Sequence, residues 1–190
     1  MTELIEIKKS FYEEEIIQKI SDYIKEDKII IMPSDTIYGF LCSQKNESIL
    51  REIKMRDEKP FLNLISKIDD LAYFDIDTKD YIDILQKNWA GPVTFLLKNN
   101  NNKKIGVRLP DWDVLTKIID KVGEPLISTS VNFSGMPPLN DINQIISDFK
   151  NKVSLIVCDF DFKASVASTI VDFDGKSYKI VREGTVKFKC

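Results

Sequence analysis

The sequence predicts an α/β protein built on a twisted, mixed sheet with flanking helices. Two observations carry that expectation. Stretches in which apolar residues recur at helical spacing alternate with β-branched runs too short to be helices, and the chain closes on three successive strand candidates, the last two joined by an Asp174-Gly175 turn signal. At 190 residues, with 43% hydrophobic and 10% aromatic side chains, the chain can bury a sizeable core. It contains no internal repeat and no linker, so residues 1–190 are expected to form a single domain.

The first helix is expected from Glu13 to about Asp27, where Ile16, Ile17, Ile20, Tyr23 and Ile24 recur at helical spacing and Glu13 to Glu15 place negative charge at the helix N-terminus. Lys28 to Met32 is a β-branched run stopped by Pro33 and reads as a buried strand, with Pro33 to Ser43 at its exit. Asn46 to about Met55 reads as a helix capped by Asn46 or Ser48, Phe61 to Ile65 as a strand, and Asp69-Asp70 as the start of another helix. Thr78 to Trp89 is helical and ends before Gly91-Pro92; Val93 to Leu97 is a strand and Asn99 to Lys104 a loop. Ile105 to Leu109 reads as a strand, Asp113 to Lys121 as a helix closed by Gly123, and Pro125 to Ser128 as a strand leading into Thr129 to Asn132. A helix at Asp141 to Lys150 precedes the closing strands, Val153 to Cys158, Thr169 to Phe173 and Tyr178 to Val181.

Composition removes several classes of function. A net charge of -3 argues against a surface that binds nucleic acid all over, so any anion site must be a local cluster. There is no histidine, and Cys42, Cys158 and Cys190 form no CxxC pair, which disfavours a zinc site and any Ser-His or Cys-His nucleophile. The thiols read as two core residues and one tail residue in a reducing compartment. The chain opens on mixed polar residues (Thr2, Glu3, Glu6, Lys8, Lys9) and has no membrane-length apolar run, so a soluble, cytoplasmic protein without a membrane partner is expected. Neither a Walker A sequence nor GxGxxG is present, and no carboxylate cluster suggests a protein-held metal.

Short polar segments stand at the edges of the apolar elements, where a rigid scaffold can aim side chains into a cleft. They read Ser34-Asp-Thr-Ile-Tyr-Gly39, Lys54-Met-Arg56 with Lys59-Pro60, Gly106-Val-Arg108, Ser128-Thr-Ser-Val-Asn132 with Ser134-Gly135, and Ala167-Ser-Thr-Ile-Val171 leading on to Val181-Arg-Glu-Gly184. Within and beside them stand Pro33 to Gly39, Lys54-x-Arg56 with Ser130-x-Asn132, Pro92-Val-Thr-Phe95, Val107-Arg108, Ser168-Thr-Ile-Val-Asp172 and Arg182-Glu-Gly184. In order and content these segments resemble the YrdC-like threonylcarbamoyl-AMP synthase family, over about Lys28 to Gly184. This chain differs from the usual family pattern at Ser34, Leu41, Leu64, Val131 and Ala167, and in its Arg56-Asp-Glu-Lys-Pro60 spacer.

The resemblance implies a YrdC-like open α/β fold with a concave, positively charged cleft. It implies an enzyme that joins L-threonine, bicarbonate and ATP into threonylcarbamoyl-AMP and pyrophosphate, with magnesium carried through the triphosphate. On the same resemblance Lys54, Arg56, Lys59, Ser130, Asn132 and Arg182 contact ATP, with Lys54, Arg56, Ser130 and Asn132 as the catalytic set. Thr36, Tyr38, Arg108, Ser128 and Ser168 contact threonine. The chain corresponds to the short form, which hands its labile product to a separate tRNA-modifying transferase complex; tRNA or other RNA is a further implied partner.

The residue types suit that chemistry, because an anionic carbamate must attack a polyanion and the obstacle is electrostatic more than acid-base. Each residue also has a plainer use. Lys54 and Arg56 could complement a helix C-terminus, Ser130 and Asn132 could cap a turn, Arg108 could be a solvated strand residue, and Ser168 and Arg182 could be a surface hydroxyl and a salt bridge. Two rival functions accompany the synthase: an RNA- or nucleotide-binding paralogue that makes no adenylate, and carbamoyl transfer in metalloenzyme maturation.

Overall fold

The computed structural model describes residues 1–7, 11–56 and 59–189; Lys8, Lys9, Asp57 and Cys190 therefore lie outside the described residues. The strands are β1 (Glu3–Ile7), β2 (Ile30–Met32), β3 (Gly39–Cys42), β4 (Leu62–Leu64), β5 (Val93–Lys98), β6 (Lys104–Arg108), β7 (Leu126–Ser130), β8 (Leu155–Asp159), β9 (Thr169–Phe173) and β10 (Tyr178–Arg182). The helices are α1 (Glu14–Lys25), α2 (Glu47–Lys54), α3 (Ile82–Asn88), α4 (Asp113–Val122) and α5 (Ile142–Phe149), with 3-10 turns at Gln44–Asn46 and Ile68–Phe74. Among the described residues the ten strands make one mixed sheet, ordered β1-β8-β2-β3-β7-β4-β6-β5-β9-β10. No helix among them is long and apolar enough to cross a membrane.

Alternation along the strands sorts the core into two sides. Ile30 and Met32 of β2 join Leu41, Leu126, Leu155 and Val157 beneath α1 and α4, which contribute Ile17, Ile20, Ile24, Leu115, Ile118 and Ile119. Ile31, between them, points the other way and packs with Phe40, Ile127 and Ile156 against α2 and α5. That second side continues over β5, β6 and β9, where Phe95, Leu97, Val107 and Val171 meet Leu71, Leu85 and Trp89. Cys42 and Cys158 are buried free thiols, as composition suggests.

Two strands escape the sequence patterns. β1 lies in a segment whose partly exposed residues, Glu among them, give no apolar run, and it forms only by pairing in parallel with β8 at the sheet edge. β3 lies within the segment read as the exit of β2; all four of its residues are buried because it is an interior strand, antiparallel to both β2 and β7. At α2 the expected cap is also absent: Asn46 precedes the helix without a side-chain capping bond. Asp141 does cap α5, accepting from the amides of Asn143 and Gln144 at 2.8 and 3.2 Å.

The closing hairpin is pinned by a close crossing. Gly184 donates its amide to Thr169 Oγ1 at 3.0 Å, and a Cβ at Gly184 would stand 2.3 Å from both Ala167 O and Thr169 N. Backbone atoms cannot yield as a flexible side chain can. Gly184→Ala is therefore expected to lower stability by about 1–3 kcal/mol, the usual range for overpacking, read as a lower urea midpoint.

Candidate active site

α1 and α4 cover one part of their side of the sheet, and the rest of that side, over β4, β6, β5, β9 and β10, is the floor of a cleft. Register shows how the floor is assembled. Gly39 pairs with Ser130, Leu62 with both Ser128 and Gly106, Leu96 with Gly106, and Ile170 with both Thr94 and Arg182. Paired residues share a face, and all of these line one cavity of about 230 Å³. Residues from 34 to 182 in sequence thus meet in one hollow.

One wall is built by the turn after β2. Ser34 Oγ accepts from the amides of Thr36 and Ile37 at 3.1 and 3.2 Å and donates to Ile37 O at 2.7 Å, which fixes Thr36 at the cavity. Arg108, at the end of β6, is only 3% exposed. Its Nη1 donates to Thr36 Oγ1 at 3.4 Å and its Nη2 lies 3.1 Å from Asp35 Oδ1. The contact with Asp35 is ionic with poor direction, because Asp35 Oδ1 and Arg108 Nε are both buried without a hydrogen-bond partner. Burial pulls the Arg108 guanidinium below its ordinary range, the Asp35 carboxylate pulls it back, and Arg182 adds to the lowering.

A second wall joins the end of α2 to the loop after β7. Ser134 donates its amide to Lys54 O at 2.8 Å. The Lys54 side chain leaves the helix and donates to Ser130 O and, at 2.7 Å, to Asn132 Oδ1; its Nζ stands 5.3 Å from the centre of the Phe40 ring. Ser130 Oγ donates to Asn132 Oδ1 at 2.8 Å, and Asn132 Nδ2 to Met136 O at 2.5 Å. Arg56 donates to Lys59 O and Pro60 O at 3.3 and 3.0 Å with its guanidinium 4.8 Å from the centre of the Phe61 ring.

The third wall is the closing hairpin. Arg182 donates through Nε and Nη2 to Ser168 O at 3.1 and 2.7 Å, and through Nη2 to Ser168 Oγ at 3.3 Å. Ser168 Oγ in turn lies 2.8 Å from Thr94 Oγ1. Partial desolvation by the neighbouring wall lowers the Arg182 guanidinium as well, although the residue as a whole stays exposed.

Thr36, Arg56, Arg108, Ser128, Ser130, Ser168 and Arg182 therefore line the cavity together, and Tyr38 contributes to its wall. Lys54 and Asn132 are buried directly behind Ser130, while Lys59 is exposed and meets Arg56 through its carbonyl. Two expectations change. Tyr38 cannot offer its hydroxyl to a ligand on this face: it precedes Gly39, its ring belongs to the core on the opposite side, and its hydroxyl exchanges hydrogen bonds with the Asp159 backbone, both at 3.1 Å. Arg108 is no solvated strand residue, since its whole guanidinium is enclosed. Sequence reasoning passed over Leu96 and quoted Thr94 and Gly106 only within longer segments, with no role for either; the signal of all three is position, each alternating with a core residue along β5 or β6. Among the described residues no three His, Cys, Asp or Glu side chains gather to hold a metal ion.

The scaffold defined by this fold and cleft is a mixed-sheet α/β protein with a concave cavity walled by arginines and hydroxyls. Residues 22–184 match the family model Sua5_yciO_yrdC, whose description reads Telomere recombination. The chain belongs to that family. It is 24% identical to a threonylcarbamoyl-AMP synthase of Pyrococcus abyssi, over 97% of this chain and 58% of the relative, and 24% identical to one of Enterobacter sp., over 72% and 80%. The chain thus spans little more than half of the Pyrococcus relative's length. In fold it is similar to Escherichia coli YciO, with a TM-score of 0.86 at 21% identity over 100% of this chain and 98% of that one. It is also similar to Pyrococcus abyssi Sua5 complexed with L-threonine, with a TM-score of 0.85 at 22% identity over 96% and 58%.

Burial pulls the Lys54 ammonium from 10.5 down to about 7, and Arg56 adds to that lowering. From about pH 7 up to the ordinary lysine range the unfolded chain holds a proton that the folded chain has released, so this group makes stability rise with pH across that window. Lys54→Met is expected to flatten the rise, measured as urea midpoints at several pH values between those limits.

Proposed function

We propose that this chain is a threonylcarbamoyl-AMP synthase, forming threonylcarbamoyl-AMP and pyrophosphate from L-threonine, bicarbonate and ATP for a tRNA modification. The observation that supports it best is the meeting of Arg56, Arg108 and Arg182 with Ser128, Ser130 and Ser168 in one hollow. In this reading threonine's amine condenses with bicarbonate to a carbamate with loss of water. A carbamate oxygen then attacks the α-phosphorus of ATP, the bond to the β-phosphate bridge breaks, and pyrophosphate leaves. Both partners are anions, so the enzyme's work is to neutralise and orient them.

The assignments follow the walls. Arg108, with an enclosed Nε that lacks a partner, is read as the ligand of the threonine carboxylate, flanked by Thr36, Ser128 and Ser168. Arg56, Arg182 and Ser130 are read as contacts of the nucleotide, making the cleft the positive site that the family resemblance implies. Lys54 and Asn132 are read as the support that holds Ser130 in place. Magnesium enters as part of the substrate, bound to the triphosphate. We read residues 1–190 as one domain, since strands from both ends of the chain belong to one sheet. A cytoplasmic location, a tRNA-modifying transferase complex that takes the product, and RNA contact belong to the same reading.

Pure protein given MgATP, threonine and bicarbonate should release pyrophosphate only when both small substrates are present; release without them, or none, would overturn the proposal. Lys54→Ala or Arg56→Ala should weaken use of ATP by more than about 1 kcal/mol, as expected when charge-assisted contacts are lost. Arg108→Lys keeps a positive charge but loses the planar fork, so the KM for threonine should rise about tenfold or more while that for ATP stays near the wild-type value.

A further inference from the structure

Thr94 has no part in the assignments above, yet it is the neighbour that decides what Ser168 can do. It sits on β5 between the core residues Val93 and Phe95, lines the cleft, and is 3% exposed. Its Oγ1 lies 2.8 Å from Ser168 Oγ, on a serine that is 4% exposed. Parallel pairing holds the two strands in register here, with Thr94 opposite Ile170, and Thr169 donates its amide to Pro92 O at 2.9 Å. The contact between the two hydroxyls is therefore fixed by backbone.

A count of protons then separates the two ways of making that contact. A guanidinium only donates, and a hydroxyl has one proton and two lone pairs. Arg182 already donates to Ser168 Oγ at 3.3 Å. If Ser168 gave its proton to Thr94, it would present the cleft with an oxygen unable to donate to an anion. If Thr94 donates instead, both lone pairs of Ser168 are filled, by Arg182 and by Thr94, and the serine proton is left to point into the cleft. The bond received from a cation also polarises that O–H and strengthens it as a donor.

We propose that Thr94 is a positioning residue for the amino-acid substrate: by donating to Ser168 Oγ it turns the serine hydroxyl into a fixed donor to the substrate carboxylate, beside Arg108. This rests on the synthase reading and adds to it a residue that acts through another. Thr94→Ser keeps the donor, whereas Thr94→Val keeps the shape and removes it.

The test is a cycle of T94V, T94S, S168A and the T94V/S168A double variant in the pyrophosphate assay, with separate KM values for threonine and ATP. T94V should raise the KM for threonine about five- to tenfold, as for loss of one neutral hydrogen bond, with kcat and the KM for ATP near wild type. T94S should restore threonine affinity, and T94V should add little once Ser168 is gone. An unchanged threonine KM in T94V, an equal loss for ATP, or a T94V effect that persists in full in the S168A background would each overturn the inference while leaving the synthase reading intact. If T94V does not fold, T94A takes its place in the same cycle. A wild-type protein that makes no pyrophosphate would overturn the synthase reading, and this inference with it.

Discussion

A strand sends alternate side chains to opposite faces, and that two-residue period decides what this cleft can contain. The face shared by Leu62, Leu96, Gly106, Ile170 and the serines of β7 continues the face that α1 and α4 bury, but passes beyond their reach. A shift of one residue in any of these strands would turn Arg108, Ser128 or Thr94 into the opposite core and bring Val107, Ile127 or Phe95 into the cleft. The second core, under α2, α3 and α5, forbids such a slip because it holds those apolar residues completely. Site and core are two sides of one sheet.

Charge at the cleft is the second constraint, and each cation has its own arrangement, Lys54 and Arg108 buried, Arg56 half-buried and Arg182 exposed. Lys54 is met by two carbonyl-type oxygens and an aromatic face, which suits either protonation state of the amine. Arg108 leans on a carboxylate whose geometry is poor, leaving its Nε without a partner. An unsatisfied buried donor is costly, of order 1–3 kcal/mol, and is tolerated where a ligand supplies what the protein withholds. Arg56 and Arg182 spend donors on backbone carbonyls instead, so they are oriented and still border the cavity.

The amphipathic helices were legible because their buried residues recur at the helical period: α1, α4 and α5 stand where Ile17 and Ile20, Leu115 and Ile118, and Ile142 and Ile145 place them. β1 and β3 were not. β1 has no apolar run and owes its form to β8, while β3 follows a polar turn so closely that its four residues read as part of it. Within the site, the polar segments named the right neighbourhoods, yet period-two reasoning alone separates Gly39 in the cleft from Tyr38 in the core. No local pattern could reveal that Asp35 reaches Arg108 or that Thr94 meets Ser168; these depend on register between distant strands.

The crossing at Gly184 also sets a timetable for assembly. Ser168 and Arg182 are brought together by the last hairpin, and Thr185 Oγ1 clasps Val166 O at 2.7 Å just after it. Ribosomal synthesis runs from the N-terminus, so the α1 and α4 layer can consolidate while the hollow still lacks a wall. Cutting the chain before Arg182 would open that wall, leaving the layer under α1 and α4 in place. A nascent chain at that stage would be folded in bulk yet lack one side of its cavity.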